Sequence, residues 1–511
     1  MVMQIYSKID ISPLKFRIPM REIQKDHLRD INIPNILREK NSLYERLALL
    51  FSSCGMSTDN SIYYIIVNIF KLSILLEKSL GMLSIGEKET GKSGLYDLIF
   101  NEITTIVSGL PTEAELRGDA RNTTEDKASL LEKSVLVFEE ISNGNSSQLD
   151  KILSLVKDVL MRGRYLKNKT IEEKISCSIM INANNYGSFK NLEELQGKNI
   201  LSSLPTPFQY DRALIDRFPF VLPHYKSTFG KIKYPSQVEI IGIIPLENYI
   251  NQQKKKEPFL INFDKEIPSR LLKSITLVIS SFVKLLYPEI EKKEEIPKYL
   301  TSGIVEFAKH FNSIATQETK VYNPFNSNSL EFILEILGYD IKNIKFALFH
   351  KERLIIGFKK KQVLYKIALT GFGIEENRKE FEFSQTSSNS LLATIEKASS
   401  DFRVIQYKSH DFYTSHLITL STKGLDFKSI KEHNEDLIKL IQISVDLKKD
   451  INFSDEKFEG IPTFQLKLLQ REVQRIFGFT DEILSRISRK NFAIDKNGKI
   501  KLINFSEFIG D

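Results

Sequence analysis

Apolar positions along this chain gather into short continuous runs separated by stretches of helical spacing. Met82-Leu83-Ser84-Ile85 has the length and continuity of a strand buried on both faces. Ile103-Thr104-Thr105-Ile106-Val107-Ser108 predicts a second strand, and Ser134-Val135-Leu136-Val137-Phe138 a third. Cys177-Ser178-Ile179-Met180-Ile181 follows, then Pro219-Phe220-Val221-Leu222. Between them, residues 94–100 have helical spacing. Residues 148–161 do so more fully, with Ile152, Leu155, Val156, Val159 and Leu160 on one side. A polar, turn-like stretch, residues 166–174, predicts a hairpin just before the fourth strand. Strands alternating with helices predict an α/β domain around a parallel sheet.

One segment imitates a membrane span. Residues 61–82 are rich in Ile, Leu and Tyr, but Asn68, Lys71, Glu77 and Lys78 interrupt them and they run straight into the first strand. A buried helix packed on the α/β domain is expected, with no membrane partner. Residues 235–242 are expected to run beside the core. Residues 266–320 predict helices, one opening at Ser269 as its cap, with Arg270 facing solvent or sensing a ligand. Beyond residue 321 the character changes. Short runs at 346–349, 354–358 and 363–368, parted by charged turns, predict an antiparallel sheet. Helical stretches at 391–398 and 430–445 and a hairpin at Asp495-Lys496-Asn497-Gly498 make this region α+β.

Length and composition narrow the picture. A chain of 511 residues implies about three domains. Two cysteines, Cys54 and Cys177, form no disulfide framework and no zinc spacing, and no signal peptide is evident, so a reducing cytoplasmic location is expected. A net charge of +7 permits a nucleic-acid partner without demanding one.

The sharpest chemistry lies at residues 86–93, Gly86-Glu87-Lys88-Glu89-Thr90-Gly91-Lys92-Ser93, a complete G-x-x-x-x-G-K-[ST] loop between a strand and a helix. Gly86 and Gly91 permit the tight turn that points backbone N–H groups at phosphate. Lys92 reaches the β- and γ-phosphates, and Ser93 offers a hydroxyl to Mg²⁺. The next helix, beginning near Gly91 and continuing through Gly94, aims its N-terminus at the same anion. The third strand ends in Glu139-Glu140. The first acid would hold Mg²⁺ through water, and the second would polarise the attacking water. An Asp is usual where Glu139 stands. The fourth strand ends in Asn182-Ala183-Asn184-Asn185. Asn184, or else Asn182, would bond the γ-phosphate and orient water. Before the fifth strand, Arg212 and Arg217 sit among aspartates. In a ring ATPase an arginine at this place reaches the neighbouring subunit's γ-phosphate, and Arg217 is the better placed.

These pieces, in this order, resemble an AAA+ ATPase, and more closely the ATPase core of the Lon-related BrxL proteins of BREX phage-defence systems, itself similar to minichromosome-maintenance helicases. The resemblance rests on residues 86–96, Ile106-Val107-Ser108-Gly109, Val135 to Glu140, Met161-Arg162-Gly163-Arg164, the asparagine-bearing strand end, and Leu214-Ile215-Asp216-Arg217-Phe218-Pro219-Phe220. It covers residues 45–230. It implies a three-layer AAA+ sandwich with a helical lid, ATP and Mg²⁺ as cofactors, and a homo-oligomer, a hexamer or double ring, with duplex DNA in its pore. Lys167 and Lys169 on the hairpin would then contact DNA phosphates. The expected organisation is an N-terminal helical segment at 1–60, the AAA+ domain at 61–235, the lid at 236–320 and the α+β domain at 321–511. Residues 321–511 carry no Ser/Lys protease motif. The leading expectation is a DNA-associated motor. The rival is an ATP-gated scaffold that remodels proteins and recruits an effector without DNA.

Overall fold

A computed structural model describes residues 32–386, apart from 118–128, 142–145, 168–170, 196–199, 233–237 and several shorter stretches, with four further strands. Those strands are Gln4–Ile5, Val404–Lys408, Phe492–Ile494 and Ile500–Leu502. The predicted helices at 391–398 and 430–445, the turn at 495–498 and Lys169 lie outside the described residues. The chain divides into two compact units, Met1–Tyr339 and Asp340–Asp511. The helix Ser327–Ile336, which the sequence places beyond the expected lid boundary, belongs to the first unit.

The first unit is built on five parallel strands: β1 (Gly81–Gly86), β2 (Thr104–Ser108), β3 (Val135–Glu139), β4 (Ser178–Asn184) and β5 (Phe220–His224). Their order across the sheet is β2-β3-β4-β1-β5. This is an α/β fold whose first strand lies inside the sheet, next to the edge strand β5. Neighbours from distant parts of the chain flank β1, so the crevice outside its carboxyl end is where such a sheet takes a ligand. Continuous burial of β1 and β5 explains their unbroken apolar runs.

The helix Ile62–Leu76 is buried along its whole length, which is why it resembles a membrane span. Ser61 caps it by accepting from Tyr64 N. Phe70 meets Phe220 of β5 and Phe311 edge-on, with ring centroids 5.4 Å and 4.9 Å apart. Asn68 donates to the Tyr64 carbonyl at 3.0 Å, and Glu77, just past the helix, accepts from Lys284 Nζ at 3.0 Å. Asn68 and Glu77 are thus satisfied inside the protein, while Lys78 is exposed. No helix among the described residues is long and apolar enough to cross a membrane.

Two long helices, Ser269–Leu286 and Lys298–Ala315, stand where lid helices were expected. Ser269 is not the cap. Pro268 takes that place, and no side chain bonds the first turn because the proline ring carries no acceptor. The helix after the phosphate loop is also shorter than its spacing implied. It is a single π-type turn, Leu95–Ile99, opened by Asp97 N donating to Ser93 O at 3.0 Å. Thr104 Oγ1 lies 2.9 Å and 2.8 Å from the Tyr96 and Phe100 carbonyls, so the start of β2 satisfies the carbonyls a longer helix would have used. The hairpin forms as expected, pairing Arg164–Lys167 with Ile171–Lys174. Within residues 235–242, Val238–Glu239 pairs with Gln4–Ile5.

In the second unit, Ile344–His350, Arg353–Phe358 and Val363–Ala368 form the expected antiparallel meander. The helix Gly371–Thr386 follows, and Val404–Lys408 joins the sheet parallel to the third strand.

Candidate active site

The phosphate loop leaves the carboxyl end of β1 between β4 and β5. Gly86 is required there by a close approach: a Cβ would stand 2.0 Å from the His224 carbonyl oxygen. The same carbonyl accepts from Glu87 N at 2.8 Å, which stitches the loop to β5. Gly91 has φ +77°, a left-handed conformation that disfavours any side chain. Glu89, with φ +63°, is a second left-handed residue in the loop. Thr90 Oγ1 donates to the Glu87 carbonyl at 2.8 Å and closes the turn. Glu87 Oε2 accepts from Lys226 N at 3.3 Å, and Lys88 is exposed beside Tyr186, whose hydroxyl raises its pKa. Gly94 adopts helical angles at the head of the π turn.

Lys92 is 8% exposed. Its ammonium donates to the Gly86 carbonyl at 3.1 Å and to that of Glu87. Burial lowers its pKa to about 8, against the upward pull of Glu139, Glu87 and Glu140. The side chain is cationic at neutral pH and lies along the loop that would carry phosphate.

The two acids occupy different environments. Glu139, the last residue of β3, lies in register with Ser108 and Asn182. Its Oε1 is buried without a partner among the described residues, as is Asn182 Oδ1. Asn182 Nδ2 lies 3.3 Å from Ser93 Oγ. A serine hydroxyl, a carboxylate and an amide oxygen, two of them orphaned, are the donor set a hard divalent cation takes, so these residues fit Mg²⁺. Glu140 steps off the strand with φ +54°, a conformation that costs a non-glycine residue about 1–2 kcal/mol. Asn184 Nδ2 donates to Glu140 Oε1 at 2.7 Å. The two asparagines therefore divide the site: Asn182 faces the loop serine, and Asn184 holds the carboxylate of Glu140.

Arg217 lies elsewhere. A Cβ on Gly81, the first residue of β1, would stand 2.3 Å from the Arg217 carbonyl oxygen. Arg217 is therefore at the amino end of the strand whose carboxyl end bears the loop, about 16 Å away at the usual strand rise. Its guanidinium donates to the Ala213 carbonyl and lies 3.3 Å from Met161 Sδ. Arg270 Nη1 pairs with Asp216 Oδ2, on the residue preceding Arg217, at 2.6 Å. Arg212 opens the short helix Arg212–Ile215, which Asp211 caps while pairing with Lys157 at 2.5 Å. Lys167 ends the first strand of the hairpin.

Sequence reasoning missed two groups beneath the loop. His224, the buried end of β5, places Nδ1 3.5 Å from the Thr90 carbonyl. Burial, with Lys71 and Lys92 nearby, holds its pKa well below the usual imidazole range. Lys71, seen in the sequence only as an interruption of an apolar run, donates to the Gly91 carbonyl at 2.8 Å. A lysine inside an otherwise apolar helix immediately before the motif was the available signal.

A search of curated proteins found no match. Residues 18–328, well over half of the chain, match the family described as Lon-like protease BrxL-like, ATPase domain. With a phosphate loop, an acidic strand end and two asparagines assembled on that sheet order, the chain belongs to the BrxL-like ATPase family.

Proposed function

We propose that this protein is a ring-forming AAA+ ATPase that hydrolyses ATP between subunits and couples the turnover to binding, translocating on or remodelling DNA, in prokaryotic anti-phage defence. The observation that carries the proposal is the separation of Arg217 from its own phosphate loop. The carboxyl end of the sheet bears Lys92, Ser93, Glu139 and Glu140, and the amino end of β1 bears Arg217, whose neighbour Asp216 pairs with Arg270. An arginine so placed serves a nucleotide only if that nucleotide belongs to a neighbouring copy. Family membership supports the ATPase and the defence setting.

In this reading the loop N–H groups and Lys92 bind the β- and γ-phosphates. Ser93 and Glu139, with Asn182 against Ser93, would hold Mg²⁺, which would supply positive charge against the phosphates. Glu140 accepts a proton from the attacking water, and Asn184 fixes the carboxylate that does so. Arg217 of the adjoining copy stabilises the transition state. Lys167 and Lys169, on the hairpin, contact DNA phosphates in a salt-dependent, sequence-independent way.

The test is ATP hydrolysis by the purified full chain with and without duplex DNA, with E140Q as control and sedimentation to read assembly. Turnover that DNA stimulates, that E140Q abolishes and that accompanies a ring-sized species supports the proposal. Turnover indifferent to DNA overturns the DNA coupling and favours a protein-remodelling scaffold. A monomer that turns over ATP at full rate overturns the intersubunit site.

A further inference from the structure

A second lysine serves the loop from its buried side. Lys71 lies within the apolar helix Ile62–Leu76 and has no solvent exposure. Its ammonium donates to the Gly91 carbonyl at 2.8 Å, at the glycine just before Lys92. The ammonium also stands 5.5 Å from the centre of the Tyr96 ring, and the Tyr96 hydroxyl donates back to the Lys71 carbonyl at 3.0 Å. Lys71 thus grips the loop at Gly91 and the turn that follows it at Tyr96. A buried ammonium is costly, and an apolar side chain of the same volume is often the more stable choice. A lysine held here, against that preference, has a use that packing alone does not supply.

We propose that Lys71 is a positioning residue of the nucleotide site, fixing the Gly91 peptide from behind and placing a second positive charge beneath the bound phosphates. The proposal rests on the reading that the loop binds a nucleoside triphosphate. The groups facing Lys71 are Lys92 on the loop, Tyr96 on the turn and His224 at the end of β5. Burial first, and then the Lys92 charge, bring the Lys71 ammonium down to about 7, so it carries its full charge only below neutrality. Phosphate binding favours the charged form, and by linkage the charged form favours phosphate. Nucleotide affinity therefore falls as pH rises through neutrality. The buried neutral His224 and the high-titrating Tyr96 do not supply that step, and Lys92, which titrates about a unit higher, adds a separate fall above it that the Lys71 variants retain.

The experiment is equilibrium titration of the full-length protein with a fluorescent ATP analogue and Mg²⁺ between about pH 6 and pH 9. Wild type, K71M and K71R are compared. K71M is expected to melt no lower than wild type, to bind about tenfold more weakly at pH 6, and to lose the step near neutrality. Tenfold is the difference that a one-unit rise in the proton affinity of Lys71 on binding would produce. K71R, which stays charged, is expected to bind at least as well at pH 8 as wild type does and to show no step near neutrality. Equal affinity and an equal pH profile in K71M and wild type would overturn the proposal. Should K71M fail to fold, K71R decides: a wild-type step in K71R overturns the proposal, and its absence supports it. If wild type itself binds no nucleotide, the reading of the loop fails rather than the role of Lys71.

Discussion

The buried ion pair between Glu77 and Lys284 gives the most quantitative prediction. Glu77 closes the helix that carries Lys71, and Lys284 sits on Ser269–Leu286, the helix whose first turn carries Arg270. The two side chains are 4% and 2% exposed and 3.0 Å apart, and Lys284 also donates to the Lys256 carbonyl at 2.8 Å. K284M leaves a carboxylate in the interior without its cation, a change that costs about 3–5 kcal/mol. Against a total stability of about 5–15 kcal/mol, this lowers the melting temperature by on the order of 5–10 °C. The double variant E77L/K284M removes both charges and returns close to wild type. The pH dependence has a definite sign. Burial raises Glu77, while the charge and hydrogen bond of Lys284 and the hydroxyls of Ser280 and Ser281 pull it back. A carboxyl raised in the folded state contributes stability that is full below its unfolded pKa and is lost as pH rises through the folded one. Removing Lys284 raises the folded value further, so the deficit of K284M is small near pH 5 and largest near pH 8. Scanning calorimetry of wild type, K284M and the double variant reads this directly. A K284M protein that melts within about 2 °C of wild type at pH 8, or with the same deficit at both pH values, refutes the reasoning.

Two further outcomes are expected. R217A and E140Q should each retain nucleotide binding while losing at least about a hundredfold in turnover, and mixing the two should restore part of the activity, because a mixed interface can unite an intact Glu140 with an intact Arg217. Failure of the mixture to recover, under conditions where wild-type subunits exchange, speaks against action in trans. G86A should abolish binding of the ATP analogue, since its methyl would stand 2.0 Å from the His224 carbonyl oxygen and push the loop off β5. A G86A protein that binds like wild type contradicts the described approach of loop and strand.

Composition and spacing along the chain set the elements whose physics is local. The glycine spacing of residues 86–93, the continuous apolar runs of β1 and β3 and the acids at the end of β3 are set by conformational freedom, burial and chain order, so they were legible without a structure. So was the buried character of residues 62–76, because Lys71 within them and Glu77 and Lys78 just after them contradict a membrane span. Tertiary structure decided what depends on which distant segment arrives next to which. The start of β2 satisfies the turn after the loop and shortens the expected helix to one π turn. Register between β3 and β4 sets Asn182 level with Glu139, while Asn184 reaches Glu140. Packing of Arg217 against Gly81 places that arginine at the far end of β1, and the burial of Lys71 behind Gly91 turns an apparent flaw in an apolar helix into a contact with the loop. Local spacing carries no information about such pairings, because they follow from strand order and from which side chains a closed core forces together.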